Sequence, residues 1–394
     1  MNLKKGWTYE LLVGLMILSI TGVLSACAPK ARPPKAVLDT PEHHVSNGYK
    51  LLKLGKIDDA LREFTLAKEL DPKSSGANLG LGLAWGYKRE YEKGLKEIKL
   101  ARKYAKTKQE KVDSYLGFMR LYIMGKERLH KEWLARTEDA FGKAHVLLPD
   151  APGPYYYMGI AYKDAYMFDK AIPLFRKVLE INKQYVAEAD REYGLIQKIQ
   201  RAAPGTKIGK KIALIDKITR ADMAALFIQE LKIDRIFAKN EKFDTGYKAP
   251  SRKFVAERLV KTPPALDIQD HVLKADIEAV IRIGINGLQP FPDHTFKPDK
   301  IVTRAEYAMM IQDILIKITA DEKLATKFIG TPSPFPDLRS DLPYYNAVMV
   351  CTTRGIMEAN NLTTGEFDPL GPVSGADALL IIRKLRSEIE KSRI

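Results

Sequence analysis

Apolar residues are distributed along this chain in three regimes. Two lysines, Lys4 and Lys5, precede an apolar run from Leu11 to Val23 that Gly14, Ser19 and Gly22 interrupt. That run is short and broken for a membrane span but fits a secretory signal. From Pro41 onward, small and apolar residues recur at helical spacing. Gly48, Ala60, Phe64 and Ala67 return 34 positions later as Gly82, Gly94, Ile98 and Ala101. Past Pro204-Gly205 the period disappears. Three separate amphipathic runs follow, Met223 to Leu231, Tyr307 to Leu315 and Ala378 to Leu385. Spacings of three and four throughout predict an all-α protein.

The 34-residue period resembles the tetratricopeptide repeat. Pro72 closes the first unit. A third unit is irregular: Phe141, Ala144 and Pro149 fit its end, but an insertion displaces its start near Tyr115-Leu116-Gly117. A fourth fits through Tyr155, Met158-Gly159, Tyr162, Ala171 and Phe175. The resemblance implies stacked helix hairpins over 41–203, closed by a capping helix over Ala187 to Ala202 and forming a superhelix with a concave groove. The first helices of the pairs carry Trp85, Tyr155, Tyr156, Tyr157 and Tyr162. Trp85, Tyr155 and Tyr162 fit packing positions of the repeat. Tyr156 and Tyr157 are then the candidates for contact with an unknown protein partner.

In residues 205–394, three helix starts share one local chemistry: Thr219 with Asp222, Thr303 with Glu306, and Ser374 with Asp377. A hydroxyl followed three residues later by an acid is a capping box. Asp267-Ile268, a helix ending at Gly284-Ile285, and Phe296-Lys297-Pro298 precede the second start. Phe335-Pro336-Asp337, a helix ending at Gly355-Ile356, and Phe367-Asp368-Pro369 precede the third. This succession resembles the S-layer homology module, in which Phe-x-Asp, a helix, Gly-Ile, Phe-x-Pro and Thr-Arg-Ala-Glu follow in order. It implies a helical domain of three degenerate copies that binds an anionic secondary wall polymer attached to peptidoglycan. Arg220 and Arg304 match the motif arginines, either as bidentate donors to a carboxylate or as braces of their own helix starts. Asp267 and Asp337 match its acidic position; the alternative is that they cap the following helices. The first copy keeps only its second half. Val272 and Pro343 stand where the family usually has an aromatic, and Gly375 replaces the third arginine.

Leu24-Ser25-Ala26-Cys27 resembles the lipobox of bacterial lipoproteins. The resemblance implies that a signal over 1–26 is removed, that Cys27 carries diacylglycerol, and that the protein meets the membrane through this N-terminal lipid. An uncleaved anchor is the alternative. Ala28 is not the Asp of inner-membrane retention, which implies an outer-membrane lipoprotein facing the periplasm. In a Gram-positive cell the same protein would sit on the outer face of the membrane. Residues 27–40 form a Pro-rich basic tether with a reach of roughly 40 Å.

The formal net charge of +15 over 394 residues favours an anionic partner. Export argues against nucleic acid and leaves wall polymer or lipid. With Cys27 lipidated, Cys351 has no disulfide partner and is expected as a small core residue. No Gly-x-Ser-x-Gly, His-Glu-x-x-His or Cys-x-x-Cys motif is present. His43-His44 lacks a third ligand nearby in sequence. Gly205 to Lys211 is one residue short of a phosphate loop and reads as a flexible basic linker. Asp293-His294-Thr295 lacks the acids of a calcium loop. The expectation is therefore a non-enzymatic adaptor with no metal or cofactor. The competing class is an envelope enzyme that acts on wall polymer and uses the same parts for targeting.

Overall fold

A computed structural model describes residues 31–241 and 265–391. Cys27 and the apolar run before it lie outside the described residues. The described residues form sixteen α-helices and no β-strand. None of these helices is long and apolar enough to cross a membrane. The chain divides into two compact units between Asp190 and Arg191.

In the first unit, four hairpins follow one another: α1 (Pro41–Lys53) with α2 (Ile57–Leu70), α3 (Ser75–Tyr87) with α4 (Tyr91–Tyr104), α5 (Lys108–Gly125) with α6 (Trp133–Leu147), and α7 (Pro152–Asp164) with α8 (Phe168–Ile181). The repeat's small residues have a steric reason. A Cβ at Gly48 would lie 2.5 Å from the fully buried Phe64 ring, and one at Gly159 would lie 2.7 Å from Phe175. Only glycine lets the first helix close on the aromatic of the second. Helix starts are capped by Thr40, Ser74 and Thr107, the last in a complete box with Glu110. The displaced third unit has a structural origin. Its first helix, α5, has 18 residues where α1, α3 and α7 have 13. A short 3-10 turn, Lys126–Arg128, follows it, and the Trp133 indole N–H donates to Glu127 at 3.0 Å.

His44 is not isolated. Its Nε2 lies 3.0 Å from Asp39 and its Nδ1 lies 2.8 Å from Glu63, while Arg32 pairs with Asp39 at 2.6 Å. Burial alone would lower the imidazole pKa, but the hydrogen bonds to Glu63 and Asp39 outweigh it and raise the pKa. A raised folded-state pKa contributes stability that is complete below the unfolded value, about 6.5, and is lost as pH rises through the folded value. His44→Gln is therefore expected to lower the melting temperature more at pH 5.5 than at pH 8.5. Equal losses at both pH values would contradict the charge contribution.

The second unit begins within α9 (Val186–Ala202) and continues through α10 (Lys207–Ile212), α11 (Arg220–Ala225, prolonged by a π-turn over Leu226–Leu231), α12 (Ile233–Glu241), α13 (Lys274–Ile283), α14 (Arg304–Thr319), α15 (Tyr345–Thr353) and α16 (Gly375–Lys391). The stretch from Gly205 to Lys211 is not a flexible linker. Thr206 caps α10, and the buried carboxylate of Glu230 accepts from the Gly205 and Thr206 amides at 3.0 and 2.9 Å. A fixed acid thus satisfies the amides of the phosphate-loop lookalike.

Three backbone segments meet at the middle of this unit. The Val302 amide donates to Ile218 C=O at 3.0 Å, Val373 to Val302 at 3.3 Å, and Ile218 to Val373 at 2.9 Å. Each residue immediately precedes one of the three capped helix starts, so the bonds close a ring of three. The leading helices α13 and α15 end at Gly284 and Gly355 with φ of +80° and +66°, the left-handed terminus that the Gly-Ile pattern predicts. Cys351 is fully buried in α15, where burial raises its thiol pKa.

Candidate functional site

Each helix start that carries an arginine reaches into the loop of the next copy. At the first, Thr219 and Asp222 form a full capping box, which fixes the direction of Arg220. The Arg220 amide donates to Lys300 C=O at 2.9 Å, setting the helix start against the following copy. Its side chain is 5% exposed. Nε donates to Phe296 C=O at 2.8 Å, Nη2 to Gln289 C=O at 3.0 Å, and Nη1 to Gly287 C=O. The guanidinium carbon lies 4.6 Å from the centre of the Phe296 ring and 4.8 Å from that of Phe291.

Arg304 repeats this arrangement one copy later, at 7% exposure. Its Nε donates to Phe367 C=O at 2.7 Å and its Nη2 to Glu358 C=O at 2.6 Å, with the Phe367 ring centre 4.5 Å away. Burial lowers the pKa of both guanidinium groups. Glu306 and Asp267 oppose the shift at Arg220, and Asp377, Asp368 and Asp337 oppose it at Arg304.

The aspartates grip the same loops from the other side. Asp267 accepts from the Phe296 and Lys297 amides at 2.7 and 2.8 Å. Asp337 accepts from Phe367 and Asp368 at 2.8 and 2.6 Å. Both carboxylates accept from distant loop amides, and no helix start among the described residues is capped by them. Thus Phe296 and Phe367, both fully buried, are held at the carbonyl by an arginine of one copy and at the amide by an aspartate of the next. The residues after them, Lys297 and Asp368, both have φ of +55°. Left-handed backbone at a non-glycine residue persists only where its surroundings fix it, and here the aspartates do so.

The third start differs. Ser374 Oγ accepts from the Asp377 amide at 3.2 Å, and Asp377 pairs with Lys198 at 2.8 Å. Gly375 donates its amide to Ile215 C=O at 2.8 Å. The first copy has no Phe-x-Pro loop at this place. Its Ile212 carbonyl lies directly against Gly375, where a Cβ would clash with it. An arginine here would have neither room nor a loop to hold.

The clamped loop of the second copy carries an exposed basic edge. Lys297 Nζ lies 4.5 Å and Lys300 Nζ 5.7 Å from the centre of the Phe291 ring. Lys300 pairs with Glu306 at 2.6 Å, and Lys297 lies 3.6 Å from Asp293.

In the first unit, the two candidate tyrosines meet edge-on at 5.1 Å and both contact Tyr185. Tyr156 stacks on Tyr185 at 4.9 Å and meets Phe175 edge-on at 6.0 Å. Tyr157 lines a cavity of about 490 Å³ whose other walls include Tyr49, Leu52, Leu79, Leu83, Tyr87, Leu116 and Tyr185. Arg120 enters this cavity from α5. Its guanidinium lies 5.3 Å from the centre of the Tyr157 ring and donates to the Tyr87 hydroxyl at 3.1 Å. Sequence reasoning missed Tyr49, Tyr87, Arg120 and Tyr185. A usable signal was present, because Leu79, Leu83 and Tyr87 recur every four residues on α3, and Asp113, Leu116 and Arg120 every three or four on α5.

Residues 288–308 and 334–379 match the family model of the S-layer homology domain. The chain is similar to a solved structure described as the crystal structure of YrrB, a TPR protein with an unusual peptide-binding site. The identity is 19% over 50% of this chain and 91% of that one, with a TM-score of 0.25. No curated protein matches the chain.

Proposed function

We propose that this protein is a lipid-anchored adaptor of the cell envelope that holds an anionic wall polymer with its second unit and a protein partner with its first. The observation that carries the polymer reading is the coincidence of the S-layer homology match with the clamped loops. The matched residues contain Phe296, Phe367, the starts of α14 and α16, and the Lys297–Lys300 edge. Arg220, Arg304, Asp267 and Asp337 serve the polymer by holding these loops in their left-handed conformation. Lys297, Lys300 and the half-buried Phe291 offer a cationic and aromatic edge to a sugar acid. Cys27 anchors the chain through lipid, on the strength of the lipobox resemblance. One acyl chain binds membranes only marginally, whereas two or three hold stably. The absence of an Asp at position 28 favours the outer membrane facing the periplasm.

Cosedimentation of the full chain with purified sacculi tests the polymer reading. Pelleting is expected at low ionic strength and should weaken as salt shortens the screening length towards about 8 Å at physiological strength. Lys297→Gln with Lys300→Gln should reduce pelleting several-fold without a change in melting temperature. No pelleting at any salt concentration would remove the polymer-binding role.

The concave cavity of the first unit supports the partner reading. Tyrosines bury large areas at low entropic cost and keep a polar tip, a property that suits them to interfaces.

A further inference from the structure

The wall of the 490 Å³ cavity contains a cation with no acid beside it. Arg120 projects from the middle of α5 among Tyr87, Tyr157 and Tyr185, and its hydrogen-bond partner is a neutral phenol, Tyr87. Among the described residues no carboxylate lies within ion-pair distance of it, and Lys53 adds a second positive charge to the lining. Burial raises the phenol pKa of both Tyr49 and Tyr157, so neither supplies a compensating anion. A guanidinium drawn into such surroundings without an acid is an incomplete pair. Leu52, Leu79, Leu83 and Leu116 make the rest of the cavity apolar.

Asp113 lies on the same helix two turns before Arg120, about 10 Å along the axis, and it also lines the cavity. It accepts a hydrogen bond from Gln109 at 2.8 Å, and burial raises its pKa. The lining is therefore positive at one end and acidic at the other.

We propose that this cavity recognises a peptide through one carboxylate seated on Arg120, with an adjacent apolar or aromatic side chain filling the tyrosine- and leucine-lined space. This rests on the reading of the first unit as a partner-binding module and adds the chemistry of the partner. The guanidinium fork offers paired donors to a carboxylate, and the apolar leucine walls of the cavity strengthen the bond. Asp113 disfavours a run of acids, because a second carboxylate two turns along the groove would meet a like charge. A single acid beside a hydrophobic residue fits both ends. The carboxylate can come from an Asp or Glu side chain or from a chain terminus.

The test is a randomised octapeptide array, printed with free and with amidated C-termini and probed with the full chain. Wild type is expected to select sequences that carry one acid next to a Leu, Phe, Tyr or Trp. Arg120→Gln should reduce that selection about tenfold, the scale of one charge-assisted pair, and Arg120→Lys should restore part of it. Selection confined to free C-termini identifies a terminal carboxylate, whereas selection that survives amidation identifies a side chain. Circular dichroism of each variant should match wild type. A bound set without acids, or one that Arg120→Gln selects equally well, would overturn the carboxylate anchor. If Tyr157→Ala still loses that acid-free set, the groove itself stands. An empty array would overturn both readings.

Discussion

Arg304→Ala is expected to destabilise the second unit strongly, and the loss should appear as unfolding before it appears as weakened polymer binding. The side chain is 7% exposed and donates to two carbonyls, Phe367 at 2.7 Å and Glu358 at 2.6 Å. Hydrogen bonds to a charged group contribute about 1.5–3 kcal/mol each, and a buried acceptor left without a donor carries its full desolvation cost. A loss of about 3–5 kcal/mol in a unit of this size corresponds to a melting temperature lowered on the order of 10 °C. Arg304→Lys should recover only part of it, because an ammonium cannot reach both carbonyls as a planar fork does. Thermal unfolding by circular dichroism provides the measurement. An Arg304→Ala protein that melts like wild type but no longer pellets with sacculi would place the guanidinium in direct contact with polymer.

The helical architecture could be read from the sequence because its determinants are local. The Gly48, Phe64 and Ala67 spacing encodes a hairpin of two neighbouring helices, and Thr303 with Glu306 encodes a helix start within one turn. The matched stretches of the S-layer homology domain carry the aromatic-x-Pro elements for the same reason. The use of the motif residues could not be read. Arg220 finds its acceptors 67, 69 and 76 residues away, and Asp267 finds its donors 29 and 30 residues away. An aspartate ahead of a helix resembles an N-cap until the loop it holds is folded beside it. The basic stretch after Gly205 resembled a linker because Glu230, which satisfies its amides, lies 24 and 25 residues downstream. The cavity in the first unit was obscured for a different reason. Its lining draws single faces from several helices, and of the adjacent Tyr155, Tyr156 and Tyr157 only Tyr157 lines it. Tyr155 is buried and donates to Pro149 C=O at 2.9 Å. Tyr156 stacks on Tyr185, while Tyr157 meets Tyr185 edge-on and faces Arg120.

Gly375→Ala isolates the closure of the ring from the arginine clamps. A methyl at this position would overlap the Ile212 carbonyl, a backbone atom that cannot rotate away as a side chain can. The same segment accepts the Gly375 amide at Ile215, 2.8 Å away. To admit the methyl, α10 and the residues after it must shift. That shift pulls on Ile218, three residues beyond Ile215, and so on the bonds linking it to Val302 and Val373. Overpacking against a side chain costs about 1–3 kcal/mol. A backbone obstacle within a closed ring should place Gly375→Ala at or above the top of that range. Gly142→Ala in α6 is the control, because a Cβ there meets nothing within 4 Å. It should raise stability by about 0.5–1 kcal/mol through helix propensity alone. Amide exchange at Ile218, Val302 and Val373 reads the difference locally. Protection at all three should fall together in Gly375→Ala and remain unchanged in Gly142→Ala. Loss at Ile218 alone would mean that the three segments are held independently and that the ring carries no cooperativity.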